Sequence, residues 1–144
     1  MTKTDNRTTG NRFEQELSHI LAEHGYWVHV MQQNKSGQPA DIIAVKGKFH
    51  TLIDCKVISD DKGFPFDRIE ENQRYAMRLF TKRGNELCYF ALKLPDETIR
   101  MVSLSRLETL KCRGKKRIAD KELPTETWLL DDWLESADVW GADE

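Results

Sequence analysis

No stretch of this 144-residue sequence approaches the roughly 20 consecutive apolar residues that span a bilayer, so no membrane-spanning helix is expected. The first twelve residues, Met1 to Arg12, are polar and lack the apolar core of a secretory signal, so a cytoplasmic location is expected. Cysteine is scarce. Cys55, Cys88 and Cys112 are scattered with no CxxC pair, and Cys55 and Cys88 read as small buried hydrophobes. The four histidines show no HExxH spacing and read as structural. GxxxxGK(S/T) is missing, which excludes an NTPase on motif grounds. Internal repeats and low-complexity tracts are missing too.

What is present is an ordinary globular composition, 39% hydrophobic and 32% charged, at a length that suits one domain. The net charge of -2 conceals a split. Residues 119–144 hold nine acidic residues and one lysine, a net of -8, which leaves +6 on residues 1–118. A basic body suits a polyanion, although an ordinary solvated surface has the same count. The expected organisation is a core over 1–118, with 1–8 disordered, and an acidic, tryptophan-containing tail over 119–144. Trp128, Trp133 and Trp140 in that tail fit a cover over the core or a contact with a protein partner better than a DNA surface.

Periodicity places the elements. Phe13, Leu17, Ile20 and Leu21 form one apolar stripe of a helix that starts near Thr9 and ends at Gly25. Residues 26–31, 40–46 and 49–58 read as strands, with Gly47-Lys48 as a tight hairpin between the last two. Asp67 is positioned to cap a helix running to about Arg83. Strands follow over 87–94 and 98–102, then a short helix capped by Ser103 or Ser105, and an ambiguous segment over 127–134. This order predicts an α/β fold with a central mixed β-sheet flanked by helices.

The chemistry concentrates between Gln38 and Lys56. Side chains alternate along a strand, so Asp54 and Lys56 share one face, and Ile53, Cys55 and Val57 the other. A buried Asp and Lys are costly unless paired or bound to a metal. Asp41 opens the neighbouring strand, and the hairpin brings it to the Asp54 end. Carboxylates of this kind hold a hard cation such as Mg²⁺, and a nearby ammonium offsets the charge of a reacting phosphate. By pattern alone the trio also reads as a surface salt bridge with Asp41 capping a turn.

Asp41, Asp54 and Lys56 on two successive strands resemble the PD-(D/E)XK nuclease signature. Gly10-Asn11-Arg12-Phe13-Glu14 resembles the G..FE opening of the first helix in Holliday junction resolvases of the RecU and archaeal Hjc type, and Phe64-Pro65-Phe66 followed by Ile69 and Gln73 resembles their FP…I..HQ stretch, with Asn72 in place of the His. The proline stands one residue off, as Pro39-Ala40-Asp41. The likeness covers about residues 9–94. It implies a restriction-endonuclease-like core and a Mg²⁺-dependent endonuclease, with Mn²⁺ substituting, that acts on branched DNA or four-way junctions as a homodimer. It further implies metal ligation by Glu14, Asp41 and Asp54, with Lys56 and Gln73 completing the catalytic set. The helical wheel alone does not separate Glu14 from Glu16, and the resemblance selects Glu14.

Gln73 lies on the inner side of its helix, where a phosphate, a metal-bound water or a structural hydrogen bond would satisfy it. Lys35, Ser36, Lys62, Arg74 and Arg78 are the candidate DNA contacts, and solvated loops and helix faces are the alternative for each. Two other functions stay open: a restriction or repair nuclease acting on linear DNA, and a non-catalytic DNA- or partner-binding module.

Overall fold

The structure is a computed structural model and describes residues 3–32, 38–85 and 87–140. The chain runs α1 (Lys3–Glu23), β1 (Trp27–Val30), β2 (Ile42–Lys46), β3 (Phe49–Val57), β4 (Phe64–Pro65), α2 (Glu71–Lys82), β5 (Tyr89–Lys93), β6 (Ile99–Ser103), α3 (Leu104–Cys112), β7 (Arg117–Ile118), α4 (Leu123–Glu126), β8 (Trp128–Leu129) and α5 (Leu130–Trp140). Six strands form one sheet in the order β1-β2-β3-β5-β6-β8. Only β3 and β5 pair in parallel within it; α2 makes the crossover that a parallel pair requires. The sheet is therefore mixed, as the element order predicts. None of the described helices is long and apolar enough to cross a membrane.

The β2–β3 hairpin turns at Gly47-Lys48, with Lys46 opposite Phe49. Gly47 takes a positive φ of 58°, where a side chain would strain the backbone. β3 is the longest strand and is buried on both faces, and alternation divides its residues between two cores. Ile53, Cys55 and Val57 pack with Phe13, Leu17 and Leu21 of α1. Leu52, on the opposite face, packs with Met77 of α2, Phe90 and Leu92 of β5, and Leu104 and Leu107 of α3.

The structure corrects two boundaries and settles one ambiguous segment. The first helix begins at Lys3 and not near Thr9, so residues 3–8, expected to be disordered, are helical. They carry no apolar stripe, and periodicity is blind to a helix that extends past its buried face. The second helix begins at Glu71. Phe66–Arg68 form a separate 3₁₀ turn, and Ile69 and Glu70 are extended, so Asp67 is not the cap. The ambiguous segment over 127–134 is strand and then helix.

The C-terminal acidic segment is built into the core. Trp133 is 0% exposed and sits among Tyr26, Phe49 and Tyr89, with ring centroids 6.2, 5.8 and 5.2 Å away. Asp131, Asp132 and Glu135 point to solvent from the same helix. Its acidity therefore belongs to the outer face and its tryptophan to the interior.

Candidate active site

Three elements and the segment entering β2 bring the predicted groups to one end of the sheet. Asp54 lies near the end of β3 and is 1% exposed. Lys56 follows two residues on, on the same face, with Nζ 3.0 Å from Asp54 Oδ2. This contact is an ion pair of proximity; Oδ2 itself receives no aligned hydrogen bond. Asp41 stands at the mouth of β2, where its backbone N–H donates to Ile53 O at 3.1 Å and its C=O accepts from Met31 N at 2.8 Å. Its Oδ2 accepts from the Cys55 N–H at 2.8 Å, which fixes the carboxylate against β3. Gln38 supports it from the other side, with Nε2 donating to Asp41 Oδ1 at 3.3 Å.

Glu14 arrives from α1, 8% exposed. Burial pushes its carboxyl up to about 7, helped by the charge of Asp41 within hydrogen-bonding reach and by that of Asp54. Asp54 is likewise raised to about 7, chiefly by burial, with Asp41 adding to the rise and Lys56 opposing it. Gln73 on α2 donates from Nε2 to Asp54 Oδ1 at 2.7 Å, while its Oε1 is buried with no partner.

Three buried carboxylates face one lysine, so negative charge is in excess where water is scarce. Among the described residues no three ligating side chains are already drawn up as a finished metal cage. The fit to a cation lies in the donor set: carboxylate oxygens only, two acids resisting ionisation, and an Asp54 Oδ2 with no hydrogen bond. A hard divalent cation takes oxygen donors of this kind and relieves their mutual repulsion.

The family model for archaeal Holliday junction resolvases (Hjc) matches residues 5–136. The chain belongs to this family. Among solved structures it is similar to that of Archaeoglobus fulgidus Hjc, a Holliday junction resolvase from an archaeal hyperthermophile. The TM-score is 0.66 at 21% identity, covering 88% of this chain and 98% of that one. That likeness shows the restriction-endonuclease-like fold of Hjc. No curated protein matches the sequence.

In this resolvase-family chain the remaining predicted residues fall in several places. Glu16 is committed elsewhere, to Lys93 at 2.8 Å, so Glu14 alone of the two joins the carboxylate cluster. Lys35 and Ser36 lie outside the described residues. Lys62 is exposed on the loop before β4, where its N–H donates to Asp60 Oδ1 at 3.0 Å. Arg74 and Arg78, read as one basic face, do not form an exposed track. Arg74 is 7% exposed and pairs with Glu71 at 2.8 Å, and Arg78 is engaged by Glu108 on α3. The sequence reading gave no role to Gln38, a buried amide holding the Asp41 carboxylate. The signal for it was available: a Gln-Pro step three residues before the Asp41 carboxylate at a strand entrance.

Proposed function

We propose that this chain is a divalent-metal-dependent endonuclease that cuts four-way DNA junctions as a homodimer in the cytoplasm. The observation that carries this reading is the convergence of Glu14, Asp41, Asp54 and Lys56 at one end of the sheet, with two of the acids pushed up to about 7 by burial and by the charge of Asp41. Glu14, Asp41 and Asp54 would hold Mg²⁺, with Mn²⁺ substituting. The bound cation supplies a water of lowered pKa and offsets charge on the phosphoryl oxygens.

The protein's own groups do the rest. Lys56 places an ammonium where negative charge grows on the phosphate. Gln73 holds Asp54 with its amide nitrogen and offers a free Oε1 to orient the attacking water. Gln38 and the Cys55 N–H fix Asp41, so the carboxylate need not reorganise when charge moves. Lys62, together with Lys35 and Ser36, would meet the DNA backbone. A four-way junction has two strands to cut symmetrically, and a twofold dimer supplies two such sites.

The test is cleavage of a labelled four-way junction beside flap and linear duplex, with Mg²⁺, with Mn²⁺ and with chelator. Nicking of the junction in preference to duplex, lost with chelator and with Asp54→Asn, is expected. No cleavage of any DNA form by folded wild-type protein with either metal would sink the reading.

A further inference from the structure

A second basic feature lies one residue along α2 from Gln73. Between the start of α2 and the turn after α3 opens a cleft of about 650 Å³. Its walls are fixed to each other by backbone. β4 pairs with β7, Pro65 opposite Arg117, and the Phe66 N–H donates to Lys116 O at 3.0 Å. Gly63, at φ 84°, lets the two chains meet; a Cβ there would lie 2.0 Å from Ile118 O. Gly114, at φ 87°, turns the chain so that Lys111, Lys115 and Lys116 reach the same opening.

The lining is cationic and incompletely paired. Arg74, Lys111, Lys115, Lys116 and Arg117 face Asp67 and Glu71, five bases against two acids. Lys115 is held by Glu122 at 2.8 Å, and Arg117 Nη1 donates to Lys62 O at 3.0 Å. No ion pair engages Lys111 or Lys116 among the described residues. Arg74 is the deep member. Its side chain is buried, yet among the described residues its one ion-pair partner is the exposed Glu71 carboxylate, and its Nε has no hydrogen-bond partner. A guanidinium carries five N–H donors in a fixed fork that matches phosphate oxygens. The start of α2 adds its own unsatisfied N–H groups, because Glu70 provides no side-chain cap.

We propose that this cleft seats a backbone phosphate of the bound DNA, at a position other than the one cut, with Arg74 at its base and Lys111 and Lys116 at its rim. The inference rests on the nuclease reading, because it takes the anion to be part of a DNA strand. Gln73 and Arg74 are consecutive on α2, one on the reacting carboxylate and the other in the cleft. In this proposal, a strand presenting its scissile phosphate to Asp54 also passes the start of the same helix. Seated there, that phosphate sets the register of the strand and conveys no base sequence.

The experiment reads binding without cleavage. Anisotropy of a labelled four-way junction is followed with the full chain in chelator, from about 50 to about 200 mM salt. The variants are Lys111→Ala/Lys116→Ala and Arg74→Gln, each checked by thermal melting. Each is expected to bind about tenfold more weakly and to lower the slope of log K against log salt by about 1, the loss of one phosphate contact. Should Arg74→Gln fail to fold, the lysine pair, which is on the surface, decides alone. Wild-type affinity and slope in the folded variants would overturn the proposal. So would inorganic phosphate stabilising the wild type but not Arg74→Gln while junction affinity stays equal, since the cleft would then take a free anion. Failure of the wild type to cut junctions in Mg²⁺ removes the nuclease reading and is seen in a separate assay. Failure of the variants to weaken binding by a protein that does cut removes only the cleft.

Discussion

Asp54 is held by two neighbours and opposed by one. Gln73 donates to one of its oxygens and Lys56 approaches the other, while Asp41 disfavours its charge. Asp54→Asn keeps the shape and the contact with Gln73 but removes the charge a cation needs. It is expected to abolish cleavage while the melting temperature holds or rises, because an unfavourable buried charge is removed. A variant that cleaves at the wild-type rate would exclude Asp54 as a ligand. Lys56→Ala removes the ammonium that meets developing charge, and kcat is expected to fall by about 10² to 10³, measured under single-turnover conditions. Gln38→Ala tests a subtler role. The amide donates to Asp41, so its loss frees the carboxylate to reorient, and cation affinity by calorimetry is expected to drop about 10- to 100-fold. Unchanged affinity would mean that the Cys55 N–H alone positions Asp41.

At the scale of elements, the β2–β3 hairpin and α1 do the positioning, and α5 holds them in place. Trp133 fills the space between Tyr26, Phe49 and Tyr89, so one side chain ties the C-terminal helix to the segment after α1, to the hairpin and to β5. Trp133→Ala is expected to cost about 3–5 kcal/mol in denaturant unfolding, as for other large buried aromatics. A cost under about 1 kcal/mol would show that α5 is peripheral. Ser103 caps α3 by accepting from the Arg106 N–H at 3.0 Å, and Ser103→Ala is expected to cost about 1 kcal/mol. These elements differ in how much of them could be read beforehand. The hairpin was legible because alternation and Gly47-Lys48 agree, and the Asp41, Asp54 and Lys56 cluster follows from its register. Trp133 was not legible as core. Its neighbours Asp131, Asp132 and Glu135 make the segment look like an acidic cover or partner contact, and only the helical period separates its outer face from its buried one. The start of α2 was hidden because pairing of β4 with β7 overrides the local preference of Asp67 to cap. The burial of Arg74 was hidden too, because an arginine on a basic stripe reads as exposed.

With Glu14, Asp41 and Asp54 as the proposed ligands, the stability of the whole molecule is expected to couple to protons and to a divalent cation through the same carboxylates. Glu14 and Asp54 sit near pKa 7 in the folded chain, against 4.5 and 3.8 as ordinary side chains. Between those values the folded state binds more protons than the unfolded state. Stability from this source is therefore complete below about pH 4 and is lost as pH rises through about 7. A divalent cation reverses the sense. It binds the ionised acids, so each proton present near neutrality must leave first. Mg²⁺ is therefore expected to raise the melting temperature more at about pH 8 than at about pH 5.5, and apparent cation affinity is expected to rise over the same interval. Without cation, the melting temperature is expected to fall between the same two pH values. Melting curves at both, with Mg²⁺ and with chelator, check both halves at once. The Asp54→Asn variant should flatten each dependence, because it removes one of the two displaced protons. An Mg²⁺ shift that is equal at the two pH values would mean that the cation binds elsewhere than at the buried cluster. The buried cluster would then be a structural feature, and the account of cleavage built on it would have to be replaced.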